Sequence, residues 1–143
     1  MHQIHEIPYQ LSILEIEVFK FCLVWLNEPG FDEKQNLEWA FIRSEFSREE
    51  RKEIKLIRAV TIDACLRCFR KGVYTILITS GSQMKTFKPI IEAIKKIENL
   101  KKWIVFCKNI EYHKASENMK VLTKLPQLVA EVKNTMQLHQ INV

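Results

Sequence analysis

Apolar residues return at helical spacing soon after Pro8: Leu11, Leu14, Val18, Phe21, Cys22 and Trp25 make one face, which predicts a helix over 11–26. Part of that run, Leu14 to Val18, also alternates with period two and fits a strand. Asn27, Glu28, Pro29 and Gly30 form a breaker, followed by a mixed acidic and aromatic stretch from Phe31 to Phe46. Ser47 and Glu50 have the spacing of a capping box, so a helix should start there. Its stripe runs through Ile54, Ile57, Thr61, Ala64, Cys65 and Cys68, and after Arg70 and Lys71 the helix closes at Gly72, which tolerates the left-handed conformation.

From Val73 the period changes. Val73 to Thr79 is a continuous β-branched and aromatic run, as in a strand buried on both faces, and Ser80, Gly81 and Ser82 end it. A helix is expected over 87–100, with Pro89 in its first turn and Ile90, Ile91, Ala93, Ile94 and Ile97 packing. Trp103 to Cys107 repeats the strand signature, a polar helix is expected over 110–119, and Val121 to Thr123 reads as a third strand. Pro126 opens a last helix with Leu125, Leu128, Val129 and Val132 on its apolar face, and the chain after Asn134 is expected to fray. Strands alternating with helices predict an α/β fold: an α-helical N-terminal half (about 11–72) packed on a small, mainly parallel sheet of at least three strands (about 73–138), in two or three layers.

With 143 residues, a single domain is expected, and burial of roughly two-thirds of the unfolded surface gives a core without metal or disulfide staples. Only three glycines and four prolines exclude collagen-like and low-complexity classes. Cys22, Cys65, Cys68 and Cys107 all lie in apolar segments, which suits reduced thiols in a cytoplasmic protein. The most apolar stretch, 11–26, is interrupted by charge and too short to span a bilayer, so no membrane partner is expected. The net charge of +5 comes from 88–124, where nine lysines face four glutamates; on either side of it acids and bases balance.

Ligands of parallel α/β sheets bind where the strands end at their carboxyl edge. Here that rule singles out Ser80, Gly81, Ser82 and Lys85 after the first strand of this half, Lys108 and Asn109 after the second and Lys124 after the third. Hydroxyls, amides and ammonium groups together suit a phosphate or carboxylate. No Asp or Glu directly follows any of these strands, so a magnesium-dependent phosphotransferase is disfavoured. The loop from Thr79 to Thr86 also lacks the glycines of the Walker and dinucleotide motifs.

Cys65 and Cys68 form a CxxC inside a periodic helix, which reads as two core thiols, and one such pair is only half a zinc site. Cys107 with His113 is a conceivable nucleophile and base, but a thiol ending a hydrophobic strand is usually inert. No catalytic set, metal or cofactor is expected. The expectation is a non-catalytic protein-interaction or regulatory module. The alternative is a site for a nucleotide or other phosphorylated small molecule at the strand ends, and the third is weak nucleic-acid binding through the lysines of 88–124.

Overall fold

Six consecutive apolar residues after Lys20 leave no polar face to turn toward water, and a strand at the centre of a parallel sheet is the geometry that buries all of them. In the computed structural model, which describes residues 19–28, 30–70, 72–81, 89, 93, 100–107 and 119–140, Phe21–Leu26 is β1, and every residue of it is buried. The helix expected over 11–26 is therefore a strand in its second half; 11–18 lie outside the described residues. Chain order continues with α1 (Glu33–Ser44), α2 (Arg48–Arg51), β2 (Ile54–Ala59), α3 (Ile62–Leu66), β3 (Tyr74–Ser80), β4 (Leu100–Phe106), β5 (Met119–Leu122) and α4 (Leu125–Gln140).

The expected α-helical N-terminal half is thus corrected to strands and helices in alternation. The capping box at Ser47 forms, since Ser47 Oγ accepts from the Glu50 amide and Glu50 Oε1 accepts from the Ser47 amide. Its helix stops after one turn. Ile54 and Ile57 fit a helical stripe, but Leu56 lies between them, and in the strand Ile54 and Leu56 share one face while Ile57 and Ala59 share the other. Parallel pairing of all six residues with β1 outweighs the helix signal. Thr61, counted as a stripe position, is instead the N-cap of α3, accepting from the Ala64 amide. Gly72 does take a positive φ of 85°, although it follows the short helix α3 (Ile62–Leu66) and a turn and not a long helix.

All five strands are parallel, in the order β2-β1-β3-β4-β5. Phe21, Leu23 and Trp25 of β1, with Ile76 and Ile78 of β3 and Ile104 of β4, face one layer that holds Trp39 and Ile42 of α1 and Leu128, Val129, Val132 and Met136 of α4. Cys22, Val24 and Leu26 face the opposite layer with Leu77, Trp103, Val105 and Cys65 of α3. Each large side chain so buried contributes on the order of 1.5–3 kcal/mol. A register shift places Leu100 opposite Thr75 and Lys102 opposite Ile76, so Lys101 is an extra residue. That bulge lets Leu100 and Trp103, three apart, share one face.

Helix α4 runs past Asn134 to Gln140. The expected fraying does not occur as far as Gln140, because Thr135 and Met136 are buried and Gln140 Nε2 donates to Glu53 Oε2 at 2.6 Å; 141–143 lie outside the described residues. Met119, expected at the end of a helix, opens β5. Of the helix expected over 87–100, Pro89 and Ala93 are helical and exposed, Ala93 against its expected packing role; 110–118 lie outside the described residues.

Candidate functional site

From β1 the chain runs to β2 on one side, then returns to place β3 on the other, so the chain leaves the paired carboxyl ends of β1 and β3 toward opposite edges of the sheet. In doubly wound sheets this switch point is where a crevice opens for a ligand. The residues that meet there are Asn27, directly after β1, and Ser80, the last residue of β3.

They are tied together. The buried Asn27 carboxamide donates from Nδ2 to the Gly30 carbonyl at 2.6 Å and to Gln35 Oε1 at 3.0 Å. Its Oδ1 accepts from the Ser80 hydroxyl at 3.1 Å. Gln35 is itself fixed by the capping box of α1, in which its amide donates to Asp32 Oδ1 and its Oε1 accepts from the Asp32 amide. One net therefore joins the ends of β1 and β3 to the first turn of α1. Beneath it, Trp103 Nε1 donates to Thr79 Oγ1 at 2.9 Å, and both residues are fully buried. Trp25 packs edge-on against Phe31 and Phe106 on the other face.

Of the seven residues singled out by the strand-end rule, Ser80 and Gly81 sit half-buried at this edge, and Lys124 is exposed ahead of α4, where its carbonyl accepts from the Leu128 amide. Ser82, Lys85, Lys108 and Asn109 lie outside the described residues, as does His113. Asn27 was passed over as part of a breaker. A polar residue directly after six apolar ones would have marked a strand end had that run been read as a strand.

The lysine-rich window is partly consumed by the fold. Lys120 and Lys102 reach Glu131 of α4 at 2.9 and 3.4 Å, and Lys101 lies over the Tyr74 ring at 4.7 Å. Burial works to raise the Glu131 pKa, but the hydrogen bonds and charges of Lys120 and Lys102 prevail and hold it below the usual carboxylate range. The pKa of His139, whose ring lies tilted against Tyr74, is lowered by burial and by the charges of Lys101 and Lys20.

A cavity of about 160 Å³ lies at the opposite, amino-terminal edge, where Phe19, Phe21, Cys22, Ile57 and Val73 give it apolar walls. Lys55, Arg67, Cys68 and Arg70 complete its lining. Cys22 and Cys68 pack in one cluster there. Cys65, buried behind them, is pushed up to about 12 by burial and by the neighbouring Cys68. Among the described residues, no three His, Cys, Asp or Glu side chains are grouped to hold a metal ion, and no helix is long and apolar enough to cross a membrane.

Sheet order and switch point together define a doubly wound, all-parallel α/β domain. Comparison of the chain with protein-family models, with curated proteins and with solved structures finds no match.

Proposed function

We propose that this protein is a non-catalytic interaction or regulatory module. The observation that supports it best is the Asn27 net: the polar side chains at the switch point bond one another and the backbone, whereas an enzyme of this architecture keeps such groups turned toward substrate. Ser80 in particular gives its proton to Asn27 and, among the described residues, stands in no hydrogen bond to a base that could activate it as a nucleophile. Pairing of Lys102 and Lys120 with Glu131 likewise favours a protein partner over a phosphate backbone, because one carboxylate already engages both ammonium groups and offsets one of their two charges.

The test is a thermal-shift panel of nucleotides and other phosphorylated metabolites, run beside a screen for phosphatase, esterase and thioesterase activity. The reading expects no turnover and no stabilisation at millimolar ligand. A shift of several degrees with one phosphorylated compound, lost in Lys124→Ala, would establish the small-molecule reading instead. Turnover abolished by Ser80→Ala would make the protein an enzyme.

A further inference from the structure

The CxxC motif has a third member that sequence spacing does not reveal. Cys22 of β1 and Cys68, just beyond α3, line the same cavity and pack in one cluster, although 46 positions separate them. The Cys68 thiol donates to the Ala64 carbonyl at 3.3 Å. Cys22 and Cys65 are buried, whereas Cys68 is half-buried. Lys55, Arg67 and Arg70 line the same cavity, and no carboxylate is among its described lining residues.

We propose that Cys68 is an oxidation site for a hydroperoxide, and that Cys22 resolves the oxidised sulfur to an intramolecular Cys22–Cys68 disulfide. The Cys68 thiolate attacks the O–O bond: an S–O bond forms, the O–O bond breaks, and the alcohol or water leaves with the proton released from Cys68. The Cys22 sulfur then attacks the sulfenic sulfur, an S–S bond forms, and the S–O bond breaks. Water leaves carrying the Cys22 proton. Two electrons pass from the two sulfurs to the peroxide.

The roles follow from the surroundings of each thiol. Cys68 is the half-buried thiol of the pair, in a cavity lined by Lys55, Arg67 and Arg70, and the neighbouring Cys22 side chain and then the charge of Arg70 lower its pKa against the opposing effect of burial, which is the environment of a reactive cysteine. Cys22 is buried, and the neighbouring Cys68 side chain and then burial raise its pKa, so Cys22 stays a thiol until a sulfenic acid forms beside it. Cys65 is the sequence partner of Cys68, but burial leaves it unreactive. A Cys22–Cys68 bond ties the chain between α3 and β3 to β1 across the cavity.

The experiment uses the full chain, reduced and then treated with one equivalent of hydrogen peroxide, with free thiols blocked before non-reducing peptide mapping. A Cys22–Cys68 cross-link is expected, absent in Cys68→Ser and retained in Cys65→Ser. In Cys22→Ser, dimedone should trap a sulfenic acid on Cys68. Competition alkylation of the untreated wild-type protein, which needs no variant to fold, should label Cys68 at least about 10-fold faster than Cys65 or Cys107. A Cys65–Cys68 cross-link, a cross-link only between chains, or faster labelling of Cys107 overturns the proposal. None of these outcomes depends on what binds at the strand ends, so the two proposals stand or fall separately.

Discussion

Replacing Asn27 with alanine should unfold the switch point more than its one lost amide suggests. The substitution removes three hydrogen bonds, to Gly30, Gln35 and Ser80, from a buried position. At about 0.5–1.5 kcal/mol net for each, the upper limit is about 4.5 kcal/mol. Two of the three partners recover in part, because Gln35 Oε1 keeps the Asp32 amide and the half-buried Ser80 hydroxyl can turn to water. Only the Gly30 carbonyl loses its donor without an evident replacement. The expected cost is therefore about 2 kcal/mol, which for a domain of this size lowers Tm by about 6 °C. Urea denaturation followed by tryptophan fluorescence measures it, with the slope in urea unchanged. Asn27→Asp keeps the volume and the acceptor for Ser80 but turns a carboxylate toward two oxygens, and should cost at least as much as alanine. A loss below about 0.5 kcal/mol in both variants would refute the reasoning: the net would then not hold the strand ends, and their polar groups would be free for a ligand.

Two further outcomes follow from the same coordinates. Trp25 and Trp103 are both buried in the sheet, but Trp25 Nε1 has no hydrogen-bond partner among the described residues whereas Trp103 Nε1 donates to Thr79, so Trp103→Phe should destabilise by about 1–3 kcal/mol more than Trp25→Phe in parallel urea melts; equal costs would show that the Thr79 bond contributes nothing. Because the folded-state pKa of Glu131 is depressed by Lys120 and Lys102, the stability it contributes, about 1 kcal/mol, is complete above the unfolded carboxylate pKa of about 4.3 and is lost as pH falls through the lower folded value. The gap between wild type and Glu131→Gln should accordingly be constant near neutrality and close in acid, and a gap that persists at pH 2–3 would contradict that pairing.

Local signals survived wherever one strand or cap could form from neighbouring residues alone. The buried-strand run at 73–79, the shorter runs at 103–107 and 121–123, the Ser47 capping box and the start of α4 at Pro126 were legible because continuous β-branched runs and cap spacings mean the same thing in most contexts. The parallel α/β class followed from them. What failed was the part whose identity depends on a distant partner. Phe21 to Leu26 carries apolar residues on every side, which a buried helix and a central strand both explain, and pairing with β2 and β3 decided between them. Ile54 to Ala59 is more ambiguous still, since an edge strand pairs on one side only and its half-exposed residues mimic an amphipathic helix.

The candidate site divides in the same way. Sequence placed Ser80, Gly81 and Lys124 at strand ends, because the residue after a strand is a local property. It could not place Asn27 against Ser80 or Cys22 against Cys68, since each pair is joined only by the order in which the strands assemble. Composition, cap and strand runs, and the gathering of positive charge in 88–124 were thus determined by the chain itself. Sheet order, the closed switch point and the thiol pair were decided by tertiary structure, because burying β1 on both faces requires neighbours drawn from two separate stretches of sequence.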